Sequence, residues 1–355
     1  MKKLGSLIAL VALHLLSPRN SAAGIGLHGM LERVNRCIHG RVVDHTYNHG
    51  RDCRIWSNAL CEKRDLYVYL PPGFDPCTQY PLGIFLHGAT QDEQFFLETV
   101  VQLFDEAIVA GRMPPCILAA PDGSMKGRPS YFRIATFFAN TRAGCYEDWL
   151  MQDVWDFLHR NYPIQRGREA HALMGVSMGG SAAVAQAIKH KDRVKMAIGI
   201  MPAVNLRWVD CHGHYRTPFD PCCWGWRDKV KSFEVIGRLG PFETLRFHNL
   251  VGPLIGHGPD AMPRLASFNP IEMIDHYGLK DGDLDLFIGY GGQDEFNIAA
   301  QAESFLYRAK ERGITVEVSY DPRGRHDVEG GKRLMPAAIR WAAPRIPLPL
   351  SPLRK

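Results

Sequence analysis

Leu173-Met174-Gly175-Val176-Ser177-Met178-Gly179-Gly180 is the stretch from which the rest of the chain can be read. The apolar run Ala170 to Met174 predicts a buried strand, and Ala182 to Ile188 predicts a helix. Between them stands Gly-x-Ser-x-Gly, the spacing that seats a serine on a sharp strand-to-helix turn. Gly175 and Gly179 have no β-carbon, so strand and helix can pass close together while Ser177 takes a strained backbone conformation. Its hydroxyl would then project above the sheet, beside the N–H groups and partial positive charge of a helix N-terminus.

Outward from this unit the chain alternates. Arg64 to Leu70, Pro81 to Leu86, Cys116 to Ala120, Met196 to Ile200, Leu284 to Gly289 and Thr315 to Ser319 predict strands, with a further candidate at Arg41 to Asp44. Glu93 to Ala110, Tyr146 to Asn161, Ile298 to Arg312 and Lys332 to Ala342 carry apolar residues at helical spacing. Such alternation argues for an α/β domain whose mostly parallel central sheet is covered by helices on both faces. Residues 204–270, rich in Pro, Gly, Trp and Cys, break the rhythm and predict a cysteine-bearing insertion above the sheet. The expected divisions are a leader of residues 1–23, a lead segment 24–63, a domain 64–345 and a Pro-rich tail 346–355 without structure.

Composition narrows the function. With 46% hydrophobic and 22% charged residues over 355 positions, the chain can bury a sizeable core. A net charge of +5 without a long basic, aromatic-interleaved run argues against a nucleic-acid partner. Lys2-Lys3, the apolar run Leu4 to Leu16 and the small residues Ser21-Ala22-Ala23 follow the order of a secretory signal peptide cut after Ala23. The apolar run is shorter than the ~20 residues of a membrane-crossing helix. A secreted or periplasmic location is therefore expected, with no membrane span after cleavage.

Nine cysteines suit an oxidising compartment. Cys116, in an apolar strand, is expected as a buried thiol, and Cys222 and Cys223 are expected to take different partners, Cys211 being one candidate. Cys211, His212, His214, Cys222 and Cys223 are also close enough in sequence to bind zinc. Disulfides account for the cysteines more simply in an exported chain, so no metal is expected.

A serine hydroxyl needs a base to become a nucleophile. His326, in Arg323-Gly324-Arg325-His326-Asp327, and Asp294, in Gly291-Gly292-Gln293-Asp294-Glu295, each follow a predicted strand. They complete the chain order serine, acid, histidine, at the sheet edge where open α/β sheets place their sites. His326 is the expected general base, and Asp294 the group that orients it, with Glu295 the alternative acid. The backbone N–H groups of Met178 and of Ala89, in Leu86-His87-Gly88-Ala89-Thr90, are the expected donors to an oxyanion. His87 is expected to orient that loop without reacting. Trp208, Trp224 and Trp226 in the insertion are candidates for stacking on a sugar or aromatic ring, or else for packing the insertion onto the sheet.

Val68-Tyr69-Leu70-Pro71-Pro72-Gly73-Phe74, Phe85-Leu86-His87-Gly88, Pro121-Asp122-Gly123, Gly175-Val176-Ser177-Met178-Gly179-Gly180 and Gly291-Gly292-Gln293-Asp294 together carry a family resemblance. Over roughly residues 40 to 345 the chain resembles the putative-esterase family of α/β hydrolases. That family includes feruloyl and acetyl-xylan esterases, S-formylglutathione hydrolases and mycolyltransferases. The resemblance implies the α/β-hydrolase fold, a Ser177–His326–Asp294 triad and Ala89 and Met178 as oxyanion donors; no cofactor is expected, because a triad mechanism needs no metal. The mycolyltransferases use a glutamate as the acid, which keeps Glu295 in view. The chain departs from the family pattern in its cysteine-bearing lead and insertion, so the substrate does not carry over. A leader peptide also fits poorly with S-formylglutathione hydrolysis, a cytosolic reaction. The expectation is an exported serine esterase acting on a small-molecule or carbohydrate ester, including phenolic esters. Its rivals are an acyltransferase passing the acyl group to a sugar alcohol, and an inactive binding protein on the same fold.

Overall fold

A computed structural model describes residues 24–127, 135–231, 233–239 and 243–351. The expected signal peptide, residues 1–23, lies outside them. Among the described residues eight strands form the central sheet: β1 (Arg41–His45), β2 (Leu66–Leu70), β3 (Leu82–Leu86), β4 (Ile117–Pro121), β5 (His171–Val176), β6 (Met196–Ile200), β7 (Asp285–Gly291) and β8 (Val316–Asp321). Their order across the sheet is β1-β2-β4-β3-β5-β6-β7-β8. β2 runs antiparallel to both its neighbours, and every other pairing is parallel. This is the α/β-hydrolase fold.

The strand sequences explain the layering. β3, β5 and β6 are buried at every residue, as strands covered on both faces must be. β8, at the sheet edge, exposes Glu317, Val318 and Tyr320 and reads as a half-covered strand. Along the chain the helices are α1 (Gly24–Cys37), α2 (Val101–Val109), α3 (146–161), α4 (Met178–Lys189), α5 (Phe247–Ile255), α6 (Ala261–Ala266), α7 (Pro270–His276), α8 (Ile298–Glu311) and α9 (Val328–Ala342). One core holds α3, α4, α7 and α8 against one sheet face, and a second holds α2 and α9 against the other. The alanine-rich α4 is buried almost all round, because Ala182, Ala183, Ala185 and Ala187 let it lie close over β5 and β6.

Three details depart from the sequence reading. The lead segment contains α1 and a hairpin, Ile55–Ser57 with Glu62–Arg64, so the expected strand from Arg64 to Leu70 begins as two pieces parted at Asp65. The insertion is more regular than its composition suggested, with two short hairpins (Trp208–Asp210 with Trp224–Trp226, Val235–Leu239 with Glu243–Arg246) followed by α5 and α6. The Pro-rich tail is tied down: Gln79 and Leu350 exchange both backbone hydrogen bonds (2.9 and 2.8 Å), and Gln165 Nε2 donates to the Leu348 carbonyl (2.8 Å). Proline bars helix and central strand but not an isolated bridge from a neighbouring residue.

The strand-to-helix turn is as tight as its glycines implied. A β-carbon on Gly179 would stand 2.0 Å from the Leu86 carbonyl oxygen and 2.5 Å from that of His87, and one on Gly175 would stand 2.4 Å from the Gly179 carbonyl carbon. All are backbone atoms that cannot swing aside. Gly179→Ala is therefore expected to cost about 4 kcal/mol or more, lowering the melting temperature by about 10 °C or abolishing soluble folding. Thermal unfolding followed by circular dichroism checks this, and an unchanged midpoint would mean that α4 can retreat from β3.

Candidate active site

Ser177 sits between β5 and α4 with φ +53° and ψ −119°, a conformation outside those a non-glycine residue ordinarily takes. Its N–H donates to the Ile200 carbonyl at the end of β6 (2.8 Å), which helps to hold the turn. Two loops from neighbouring strands reach it. Asp294 leaves the end of β7 and His326 the end of β8, and these ends are bound together: the Gly292 N–H donates to the Asp321 carbonyl (2.9 Å) and the Gln293 N–H to that of Gly324 (2.9 Å). Gly291 and Gly324 permit this approach, since a β-carbon on Gly291 would lie 2.3 Å from the Gly324 carbonyl oxygen.

The three side chains form a hydrogen-bonded line. His326 Nε2 lies 2.9 Å from Ser177 Oγ, and His326 Nδ1 lies 2.7 Å from Asp294 Oδ2. The Asp294 side chain is fully buried and its Oδ1 accepts the Phe296 N–H (2.8 Å), which fixes the carboxylate plane. The Phe296 ring stands edge-on to the imidazole at 4.7 Å between centroids. Glu295, the alternative acid, faces elsewhere: Oε2 accepts the His326 backbone N–H (3.0 Å), and the carboxylate pairs with Arg325.

The loop after β3 borders the serine. A β-carbon on Gly88 would lie 3.5 Å from Ser177 Cβ, so the Gly88 backbone passes close to the serine side chain. Met178 is the first residue of α4, and the first N–H groups of a helix have no partner within it. His87 is buried, and its tautomer follows from its partners. Nε2 accepts the Gly123 N–H (2.8 Å), so Nδ1 carries the proton and donates to the Gly88 carbonyl (2.8 Å). The Gly88 N–H in turn donates to Gln91 Oε1 (2.8 Å). Burial keeps His87 neutral by lowering its pKa, despite Asp122 nearby.

The electrostatics of His326 run the other way. Burial opposes the imidazolium, but the hydrogen-bonded Asp294, with Glu295 and Asp327 close by, outweighs it and raises the pKa above 6.5. A base is useful only when unprotonated. If His326 takes the serine proton, kcat/KM will fall as the pH drops through a midpoint above the ordinary histidine value of about 6.5 and hold steady above it. A pH–rate profile checks this, and a midpoint well below that value would contradict it.

Several groups escaped the sequence reading. Tyr215, in the insertion, is buried; its hydroxyl donates to the Phe296 carbonyl (2.5 Å) and accepts from Gln301 Nε2 (3.0 Å). Asn297, left-handed at φ +54° just before α8, donates through Nδ2 to the Tyr215 and Thr217 carbonyls (2.6 and 3.0 Å). The insertion thus grips the loop that carries Asp294. An asparagine ahead of a helix was the only local hint, and its partners are some 80 residues away in the chain.

The tryptophans divide. Trp208 is fully buried, and its Nε1 donates to the Tyr215 carbonyl (3.0 Å), so it packs the insertion and offers no face to a ligand. Trp224 meets Trp226, Phe219 and Tyr307 in an aromatic cluster, of which Trp226 is 37% exposed.

Cys211 and Cys223 form a disulfide, so neither offers zinc a thiolate, although both lie with His212 in a compact group. Cys222 is exposed and unpaired, and Cys116 is a buried thiol. A second group, Asp65, Glu93 and Asp122, gathers three carboxylates behind the Gly88 loop, where Asp122 pairs with the buried Arg64 (2.8 Å). Burial pushes the Asp65 carboxyl up to about 6 and raises that of Glu93 well above its ordinary value.

A family model described as Putative esterase matches residues 57–333. Among solved structures, a ferulic acid esterase superposes with a TM-score of 0.60 at 15% identity, covering 87% of this chain and 100% of that one. The S-formylglutathione hydrolase of Agrobacterium tumefaciens gives 0.59 at 16% identity, covering 87% and 97%. The CE1 ferulic acid esterase of Anaeromyces mucronatus gives 0.52 at 16%, covering 82% and 87%. At such identities the superpositions speak for the fold. The family match, spanning most of the chain, goes further: the protein belongs to this esterase family and is a serine carboxylic ester hydrolase.

Proposed function

We propose that the protein is an exported esterase in which Ser177, His326 and Asp294 act as a catalytic triad on acyl or phenolic esters of carbohydrate. The observation that carries this reading is the unbroken line Ser177 Oγ, His326 Nε2, His326 Nδ1, Asp294 Oδ2, with contacts of 2.9 and 2.7 Å. In the reaction, Ser177 Oγ bonds to the ester carbonyl carbon as His326 Nε2 takes its proton. Asp294 holds the proton on Nδ1 and stabilises the imidazolium. The carbonyl oxygen, now negative, is met by the Met178 and Ala89 N–H groups. On collapse the C–O bond to the alcohol breaks, and His326 returns the proton to that alcohol. Water then repeats the sequence on the acyl-enzyme and frees Ser177.

Export rests on the leader-like residues 1–23 and on the Cys211–Cys223 disulfide, which together favour a secreted or periplasmic site of action. The phenolic-ester preference rests on two neighbours named as ferulic acid esterases. Trp226, the most exposed of the three insertion tryptophans, and the half-buried Trp224 are the remaining candidates for stacking on such a ring. An intact triad speaks against the inactive binding protein.

The test is hydrolysis of short p-nitrophenyl esters, methyl ferulate and acetylated xylan, with product analysis in the presence of sugar acceptors. Cleavage of methyl ferulate, with water as the acyl acceptor, supports the proposal. Acyl-sugar products would favour the transferase, and activity confined to short p-nitrophenyl esters would remove the phenolic-ester assignment.

A further inference from the structure

We infer that Glu295 is a positioning residue for the histidine: its carboxylate sets the backbone of residue 326 and adds a second negative charge beside the imidazole. The inference rests on His326 being the general base proposed above.

The geometry separates the two adjacent acids. Asp294 takes the imidazole Nδ1 (2.7 Å), whereas Glu295 Oε2 takes the His326 backbone N–H (3.0 Å) and Oε1 takes Arg325 Nε (2.6 Å). One carboxylate thus spans two consecutive residues of the β8 loop, from a site on the β7 loop. The Glu295 carbonyl lies 3.4 Å from Arg216 Nη1 of the insertion, so its backbone is approached from a third element. A neutral side chain could accept the same N–H, but Glu295 is held ionised. Burial opposes the charge, and the His326 N–H and Arg325 overcome it, so the pKa lies below the usual value.

The charged groups around His326 are Asp294 and Glu295 from the β7 loop, and Asp327 and Arg325 from its own loop, with Arg216 reaching in from the insertion. Arg325 is 60% exposed and Glu295 33%, so solvent screens the arginine more than the glutamate it pairs with. When Ser177 gives up its proton, positive charge appears on the imidazole. A second anion within reach of that charge lowers the barrier, and a fixed backbone keeps Nε2 within hydrogen-bond distance of Oγ.

Glu295→Gln keeps an acceptor for the His326 N–H and removes the charge, whereas Glu295→Ala removes both. In Glu295→Gln the acid limb of kcat/KM is expected to move down by about 0.5–1 pH unit. Glu295→Ala should in addition lower kcat by about 10- to 100-fold on the alkaline plateau, with KM within about twofold. A histidine NMR titration of the full chain in a Ser177→Ala background, with the His326 signal assigned by its loss in His326→Gln, follows the same shift without turnover. A lower His326 pKa in Glu295→Gln supports the inference even if Glu295→Ala does not fold. An unmoved His326 pKa with kcat within twofold of wild type overturns it, as does a rise in KM alone, which would make Glu295 a substrate contact. If instead the titration shifts but the wild-type chain cleaves no ester, the triad reading fails and the link between Glu295 and His326 stands.

Discussion

Ser177→Ala is expected to lower kcat for any ester the protein cleaves by about 10⁴- to 10⁶-fold, while its melting temperature stays within about 2 °C of wild type. The size of the loss follows from the geometry. Without Oγ there is no nucleophile, and His326 Nε2 has no serine proton to accept. What survives is any stabilisation that the proposed oxyanion donors, the Met178 and Ala89 N–H groups, give to direct attack by water. The small stability change follows because the strain at residue 177, φ +53°, belongs to the backbone and is common to serine and alanine. The Ser177 N–H bond to the Ile200 carbonyl is likewise kept. Stopped assays at high enzyme concentration, with parallel melts, measure both quantities. A loss of less than about tenfold would mean that another group attacks the ester.

Asp294→Asn should cost about 10³- to 10⁴-fold in kcat near neutral pH, the next largest effect. The substitution is nearly isosteric, so the Phe296 N–H can still find an acceptor. An amide NH₂ facing His326 Nδ1 would, however, favour the tautomer with its proton on Nε2, which cannot accept from Ser177. Part of the loss should be recovered at high pH, where hydroxide competes as the base. Comparison with Glu295→Gln separates the acids: the aspartate substitution should be at least about 100-fold more damaging on the neutral plateau. Equal losses would contradict the roles argued for residues 294 and 295.

The parts of the fold legible in advance were those where one physical demand dominates a short segment. Strands buried on both faces, such as Leu82–Leu86 and Met196–Ile200, can only be apolar runs, and α8 shows its single buried stripe openly. The strand-to-helix turn at Ser177 was legible because close backbone approach excludes every residue but glycine at 175 and 179. The insertion resisted for the opposite reason. Its order comes from distant partners: Tyr215 on Phe296, Asn297 on Tyr215 and Thr217, and the Cys211–Cys223 crosslink. No local periodicity reports such ties. Composition also misled at the tail, where prolines suggested disorder but Leu350 pairs with Gln79. Trp208 shows the limit for recognition residues, since a tryptophan looks the same in sequence whether it faces a ligand or, as here, the core.

At the candidate site, chain order and strand ends were enough to nominate Ser177, Asp294 and His326. They could not divide labour between Asp294 and Glu295, because adjacent residues on a loop share every sequence-level property. Only the direction of each carboxylate, toward Nδ1 in one case and toward a backbone N–H in the other, distinguishes them. The His87 tautomer, fixed by Gly123 and Gly88, was equally out of reach from sequence.

The central claim is that Ser177 is the nucleophile and His326 its base, and covalent trapping tests it most directly. The full chain is incubated with a serine-reactive fluorophosphonate, and the modified peptide is located by mass spectrometry. The expected result is one adduct, on Ser177, whose rate of formation falls at least about 100-fold in His326→Ala. An adduct on a different residue, or labelling of Ser177 that is indifferent to loss of the imidazole, would contradict it.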